Sequence, residues 1–316
     1  MIDQDALMKA GLVRLDWAAS SRRPMRAVWR DYLELTKPRL SMLILLVAMA
    51  GFCLGSRASF DVGRFLWTIA GIGLLSGGIF ALNQYQERRV DGLMKRTEQR
   101  PLPAGRLHPT EAFWFGALLS IAAIGVLALC VNGLSGWIGL FTLLSYLLMY
   151  TPLKTRSPLC TLVGAMPGAV PPLLGWVAAR GHFDSEAWLL FFVLFLWQYP
   201  HFLAIGWLYR EDYARAGIRM LPAIESEGRA TSRQIVAFTA LLLPVSLLPT
   251  WMGLSGQMYL VGALILGSLF LVAAIRMALF KTKWEARRLL LASVLYLPLL
   301  FGLMVLNPVG MKFGLM

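Results

Sequence analysis

Nine apolar runs, each long enough to cross a bilayer as a helix, constrain this chain of 316 residues more than any other feature. A helix needs roughly 17 to 25 predominantly apolar residues to span the hydrocarbon core. The runs lie at approximately 38–55, 65–84, 112–131, 134–150, 159–179, 187–207, 234–252, 258–280 and 289–306. Composition agrees: 58% of residues are hydrophobic and 15% charged, and the mean hydropathy is +0.63. A soluble enzyme carries charge on roughly a quarter of its residues, so that class is excluded, as are disordered and collagen-like chains. The expected fold is an all-α, polytopic bundle of nine transmembrane helices.

The formal net charge is +13, which in a soluble chain would point to nucleic acid. In this one the membrane lipid surface is the partner for the positive charge, and no nucleic-acid role is expected. Lysine and arginine divide unequally between the two sides. The N-terminal segment and the loops after spans two, four, six and eight hold 26, counting Arg276, whereas Arg57, Arg64, Arg180 and Lys312 are the 4 on the other side. The positive-inside rule then puts the N-terminus in the cytoplasm and the C-terminus outside. Residues 1–31 read as an N-terminal cytoplasmic segment and 32–316 as one intramembrane domain. The first 36 residues contain acids and no apolar core of a signal peptide, so they read neither as a secretory signal nor as a mitochondrial presequence. Cys53, Cys130 and Cys160 lack paired spacing, and His108, His182 and His201 are scattered, so neither disulfides nor a histidine metal cluster is expected.

The loops after spans two and six stand out at about 26 residues each. Long loops with their own charge pattern are often functional. Their separation by four spans suggests two four-helix halves and a ninth helix. Acids gather at these two places, while none occurs from 112 to 183.

At the end of span two, Asn83, Glu87 and Asp91 are spaced i, i+4, i+8. On a continuing helix they share one face, with about 6 Å per step. Three hard oxygen donors suit Mg²⁺, which takes one or two carboxylates and completes its shell with water and substrate phosphates. Arg96 and Arg100 add guanidinium forks that match phosphate geometry, and Pro101 and Pro103 are expected to stop the helix just beyond them. The plainer alternative is a solvated helix end whose acids pair with Arg88, Arg89 and Lys95. Emergence from an apolar span favours function, because ionisable groups near the hydrocarbon are costly.

After span four, Tyr150 and Lys154 put a phenol and an ammonium at a helix exit on the same side. Alone, they read more readily as an interfacial aromatic and a snorkelling lysine than as a site. Span five carries Gly164, Gly168, Gly175, Pro167, Pro171 and Pro172, as a closely approached, cavity-lining helix would. Span six holds Gln198, Pro200 and His201, followed by Asp212. A lone membrane histidine is commonly a packing residue, but beside Gln198 and Pro200 it forms a polar pocket facing the bundle.

Taken together, these segments resemble the intramembrane prenyltransferases of the UbiA type. Asn83 to Leu102 resembles their first aspartate-rich motif in the form N-x-x-x-D-x-x-x-D-x-x-M-x-R-T-x-x-R-P-L, which marks the branch that farnesylates protohaem IX (the haem O synthases). Leu35-Thr-Lys-Pro-Arg39, Tyr150-Thr-x-Leu-Lys154, Gly168-Ala-x-Pro-Pro-Leu-x-Gly175-Trp176, Trp197-Gln-x-Pro-His-Phe202 and Asp212-Tyr-x-x-Ala-Gly-x-x-Met-Leu-Pro222 match the same branch, over about residues 32–306. One departure is Glu87, where the pattern has aspartate; the extra methylene puts direct metal contact by this residue in question.

The resemblance implies a transferase in the bacterial plasma (inner) membrane with its active site on the cytoplasmic side. Its substrates would be farnesyl diphosphate and haem b, its cofactor Mg²⁺ held by Asn83, Glu87 and Asp91, and its product haem O. Arg96, Arg100 and Lys154 would neutralise the leaving diphosphate and Tyr150 would bond it. His201 would position the haem or bind its iron, and Asp212 would serve a second Mg²⁺ or pair with Arg215. A haem-modifying or oxidase-assembly partner would follow. Two rival readings are prenylation of a quinone-type ring, which fails on the Trp197–Phe202 segment, and a haem or anion transporter, which predicts polar groups on both sides of the membrane.

Overall fold

The computed structural model describes residues 24–57 and 59–309. Among these the chain is helical, without strands, and nine helices are long and apolar enough to cross a membrane: Pro38–Gly55, Val62–Asp91, Pro109–Val131, Gly133–Leu153, Cys160–Arg180, Ser185–Leu208, Arg229–Trp251, Gln257–Phe280 and Lys283–Leu306. The protein is a multi-pass membrane protein. Most of the expected N-terminal segment, together with Lys312, lies outside the described residues.

The second span departs most from the hydropathy pattern. At 30 residues and about 1.5 Å per residue it is about 45 Å long, more than the hydrocarbon core of about 30 Å requires. Asp61 caps its start by accepting from the Arg64 amide at 2.9 Å, and its final two turns carry Glu87 and Asp91 beyond the apolar stretch.

The second, fifth and sixth spans are the most buried, whereas the third, seventh and eighth show most of their surface to lipid. Close backbone approach locks the first span to the fifth. A methyl group at Gly51 would stand 2.0 Å from the Pro172 carbonyl oxygen, and one at Gly175 would stand 2.0 Å from that of Ala48. Small residues are what allow such contact between membrane helices. The fifth span remains one helix despite its three internal prolines. The third and fourth spans contain wider π-type turns at Leu127–Val131 and Ser145–Tyr150.

The long loops meet on one face. Residues 92–107 form successive turns instead of prolonging the second span. This corrects the expectation that Pro101 and Pro103 end that helix: it ends at Asp91, whose carbonyl accepts the Thr97 hydroxyl at 2.7 Å. The loop after the sixth span contributes the short helices Arg210–Arg215 and Leu221–Ile224. Tyr213, Ala216 and Ile218 pack on Met94 of the first loop, and the Arg219 amide donates to the Lys154 carbonyl at 2.7 Å. The amphipathic helix Met25–Leu35 is tied to the same layer. Arg106 pairs with Asp31 and, at 2.8 Å, with Glu34, and Gln84 donates to the Leu35 carbonyl at 2.9 Å.

Candidate active site

The second span delivers Asn83, Glu87 and Asp91 to one face, as their spacing predicts, and partners arrive from three other segments. Asn83, 1% exposed, donates from Nδ2 to the Thr151 hydroxyl at 3.2 Å. Glu87 pairs with Lys154 at 2.7 Å. Asp91, also 1% exposed, accepts from Arg100 at 2.7 Å. Arg100 gets there because the turns after Asp91 fold the chain back. The acids therefore do not pair with Arg88, Arg89 or Lys95; Arg88 instead donates to the Tyr85 carbonyl and lies over its ring.

Tyr150 stands between this charge cluster and the bundle interior. Its ring fits against Gly164, where a Cβ would come within 2.4 Å of it. The Lys154 ammonium lies 4.5 Å from the centroid of the same ring, and Tyr146 meets it edge-on at 4.9 Å. The π-type turn at Ser145–Tyr150 sets the direction of both tyrosines, a feature often found at functional sites.

Lys37 completes the cluster, and sequence reasoning gave it no role. It precedes Pro38 at the start of the first span with a left-handed backbone, φ 48°. Its ammonium lies 4.9 Å from the centroid of Phe80. Burial, then the neighbouring charges of Arg100 and Lys154, pull its pKa down to about 7. Lys154 behaves oppositely. Burial lowers its pKa, but the Glu87 carboxylate, with Tyr150 and Tyr146, lifts it well above the ordinary lysine value. The signal for Lys37 was present in the sequence: a cation directly before the proline that opens a span, on the side where the long loops emerge.

Below Phe80 and Tyr150 an apolar cavity of about 240 Å³ runs into the bundle. A single water needs only about 10–15 Å³ measured in this way, so the space suits a much larger apolar group. Spans one, two, four, five, six and nine line it, with Gly164, Pro167, Gly168 and Pro171 forming the fifth-span wall. His201 and Gln198 are part of the sixth-span wall. His201 Nδ1 lies 2.8 Å from the Ser293 hydroxyl, and its ring stacks on Trp197 at 4.8 Å. The cavity-lining fifth span and the polar pocket expected on the sixth are thus part of one cavity.

Two of the expected residues stand apart from the carboxylates. Arg96 reaches the second loop, with its guanidinium 4.9 Å from the Tyr209 ring centroid and 3.4 Å from the Tyr213 hydroxyl. Asp212 pairs with Arg215 at 2.8 Å, the second of the two roles expected for it. Both lie in the loop layer above the cluster.

Among the described residues no three histidine, cysteine or carboxylate groups form a protein-only metal cage. The two carboxylates and the amide on the second span nonetheless fit Mg²⁺ in kind, because this ion keeps waters and substrate phosphates in its shell and needs one or two carboxylates from the protein. Lys154 and Arg100 each engage one oxygen of a carboxylate, and an arriving anion would compete for both cations. The arrangement can therefore hold a polyanionic head beside a long apolar cavity.

Comparison with known proteins gives the same picture. A family model for the UbiA prenyltransferase family matches residues 44–309. The chain is 52% identical over 291 residues to a protoheme IX farnesyltransferase from Solibacter usitatus, covering 89% of this chain and 100% of that one. Its fold is similar to that of a digeranylgeranylglyceryl phosphate synthase, with TM-score 0.75 and 19% identity over 89% of this chain and 98% of the other. It is also similar to a UbiA homologue from Archaeoglobus fulgidus bound to DMAPP and Mg²⁺, with TM-score 0.62 and 14% identity over 87% of this chain and 99% of that one.

Proposed function

Because this chain belongs to the UbiA prenyltransferase family, we propose that it transfers the farnesyl group of farnesyl diphosphate to a vinyl group of protohaem IX (haem b), adding water and releasing diphosphate, to give haem O. The observation that carries this reading is the junction of an apolar cavity with a cluster of three cations and two carboxylates at Tyr150 and Phe80. A prenyl diphosphate has that same division between an apolar chain and an anionic head. Identity of 52% to a protoheme IX farnesyltransferase, over that protein's full length, favours haem as acceptor over a quinone-type ring and an enzyme over a transporter.

In this reading Asn83, Glu87 and Asp91 hold Mg²⁺, which supplies positive charge to the leaving diphosphate. Lys154, Arg100 and Lys37 donate to the diphosphate oxygens, which accumulate charge as the C–O bond breaks. Arg96 supports the loop that carries Arg100, Tyr150 bonds a diphosphate oxygen and closes the cavity mouth, and Asp212 holds Arg215 in the covering loop. The apolar walls limit the access of water to the allylic cation. The vinyl π electrons then form the new bond to the farnesyl C1 carbon. His201, on the cavity wall, positions the haem edge. By the charge distribution the loop-bearing face is cytoplasmic, in a bacterial plasma membrane, and the product passes to a haem-modifying or oxidase-assembly partner.

The test uses membranes containing the full chain, supplied with farnesyl diphosphate, haem b and Mg²⁺. Asp91→Asn and Asn83→Ala are expected to lower farnesyl transfer by roughly 10²-fold or more, the usual scale for removing one electrostatic contact to a transition state. Transfer that survives both changes and full removal of divalent metal would refute the diphosphate-anchor role.

A further inference from the structure

The reaction proposed above requires one water molecule to enter a cavity whose walls are apolar, and the sixth span carries a pair of groups suited to hold it. Gln198 is 4% exposed and lines the cavity. Its Nε2 donates to two backbone carbonyls, Leu194 at 3.2 Å and Ala165 at 3.3 Å. Two carbonyl acceptors require the amide nitrogen on that side, so Oε1 points the other way, toward Gly168. A Cβ at position 168 would stand 2.1 Å from Oε1, so only glycine leaves room for it there. No donor of the protein reaches this oxygen among the described hydrogen bonds. The cavity hydroxyls of Ser76 and Thr142 instead donate to the Gly73 and Ile138 carbonyls.

His201 lies three residues further on, on the same helical face, and also lines the cavity. The Ser293 hydroxyl donates to the Leu290 carbonyl at 2.6 Å, so its oxygen accepts from His201 Nδ1 at 2.8 Å. That tautomer leaves a lone pair on Nε2. Two acceptors, Gln198 Oε1 and His201 Nε2, thus occur one helical turn apart on the wall of an apolar cavity. Of the reactants, the farnesyl chain has no donor, and diphosphate and the ionised haem propionates are acceptors. Water alone can donate to both.

We propose that Gln198 and His201 bind the water that completes the reaction, a role that rests on the haem farnesylation reading. With both hydrogens engaged, the water presents its oxygen lone pair to the cation left on the vinyl carbon next to the porphyrin ring after carbon–carbon bond formation. The C–O bond forms from that lone pair, and the released proton passes to His201 Nε2. The competing fate of the same cation is loss of a proton from the adjacent carbon, which gives a conjugated alkene lighter by one water. The pair therefore decides which product forms. His201 contacts both the haem edge and this water, and Gly168 acts as a positioning residue through Gln198.

The experiment measures the ratio of dehydrated to hydroxylated farnesyl-haem by mass spectrometry, using membranes of the full-length protein with farnesyl diphosphate and haem b. Gln198→Leu removes a hydrogen bond to the water, and the ratio is expected to rise roughly tenfold, whatever the overall rate. Gly168→Ala displaces the same oxygen and is expected to raise the ratio in the same direction, which keeps the test available if the glutamine variant does not accumulate. An unchanged ratio in the variants that accumulate would overturn the proposal. So would loss of all transfer in them with no alkene formed, which would assign these residues to substrate binding alone. Absence of any farnesylated haem from the unaltered protein would instead refute the haem reading itself.

Discussion

At the scale of single residues, the site works by setting two lysines to different charge behaviour. Lys154, paired with Glu87 at 2.7 Å, keeps its proton throughout the neutral range. Its replacement by methionine is expected to lower turnover by roughly 10²-fold, with arginine restoring part of it; full activity in the methionine variant would contradict the assignment. Lys37, held near pKa 7 by burial and by Arg100 and Lys154, is an ammonium below that pH and neutral above it. Affinity for farnesyl diphosphate should therefore weaken as pH rises through about 7 in the native protein relative to Lys37→Met. Parallel pH profiles of KM for the two proteins would exclude the effect. Asn83, Glu87 and Asp91 stood out in the sequence as candidates because polar groups at the end of an apolar span are costly; Arg100 stood out as a guanidinium following them, and Tyr150 and Lys154 took their expected roles from the family resemblance. Lys37 was not assigned although its place before Pro38 was visible, because only the fold brings it beside Arg100 and Lys154. Arg96 and Asp212 carry the right chemistry, but only the folded loops show that they brace the covering layer.

Elements shape this site through departures from regular geometry. The hydropathy pattern located the nine spans but shortened the second, expected at 65–84 and found at Val62–Asp91, and the ninth, expected from 289 and found from Lys283. Hydropathy reports depth in the bilayer, not helicity, so the apolar run ends near 84 although the helix continues through Glu87, Arg88 and Arg89; the i, i+4, i+8 spacing of Asn83, Glu87 and Asp91 is what pointed to that continuation. The end of the second span was illegible for another reason. It depends on the Thr97 hydroxyl capping the Asp91 carbonyl, a contact that exists only after the loop has turned back. The fourth and fifth spans meet where Gly164 receives the Tyr150 ring. Gly164→Ala should force the ring out of its slot, with an overpacking cost of about 1–3 kcal/mol. It should lower both the detergent-solubilised melting temperature and farnesyl transfer. An unaltered melting temperature and rate would show that the ring is free to move aside.

For the whole molecule, one asymmetry organises the rest. The long loops, the amphipathic helix Met25–Leu35 and the charge cluster share one face, the face to which the sequence assigns 26 of 30 lysines and arginines. The opposite loops are short. That face should be cytoplasmic. In a background without the native cysteines, a cysteine at Lys95 should react with a membrane-impermeant maleimide only after cells are opened, and one at His182 should react in intact cells. The reverse pattern would invert the topology. Through this asymmetry the bundle joins a prenyl diphosphate, entering from one face, to haem. The most direct measurement supplies membranes of the native and Asp91→Asn proteins with labelled farnesyl diphosphate and either haem b or a hydroxybenzoate, with and without a divalent-metal chelator. Label is expected in haem alone, lost with the chelator and in the variant. Label in the aromatic acid, or transfer to haem that survives both treatments, would contradict that function.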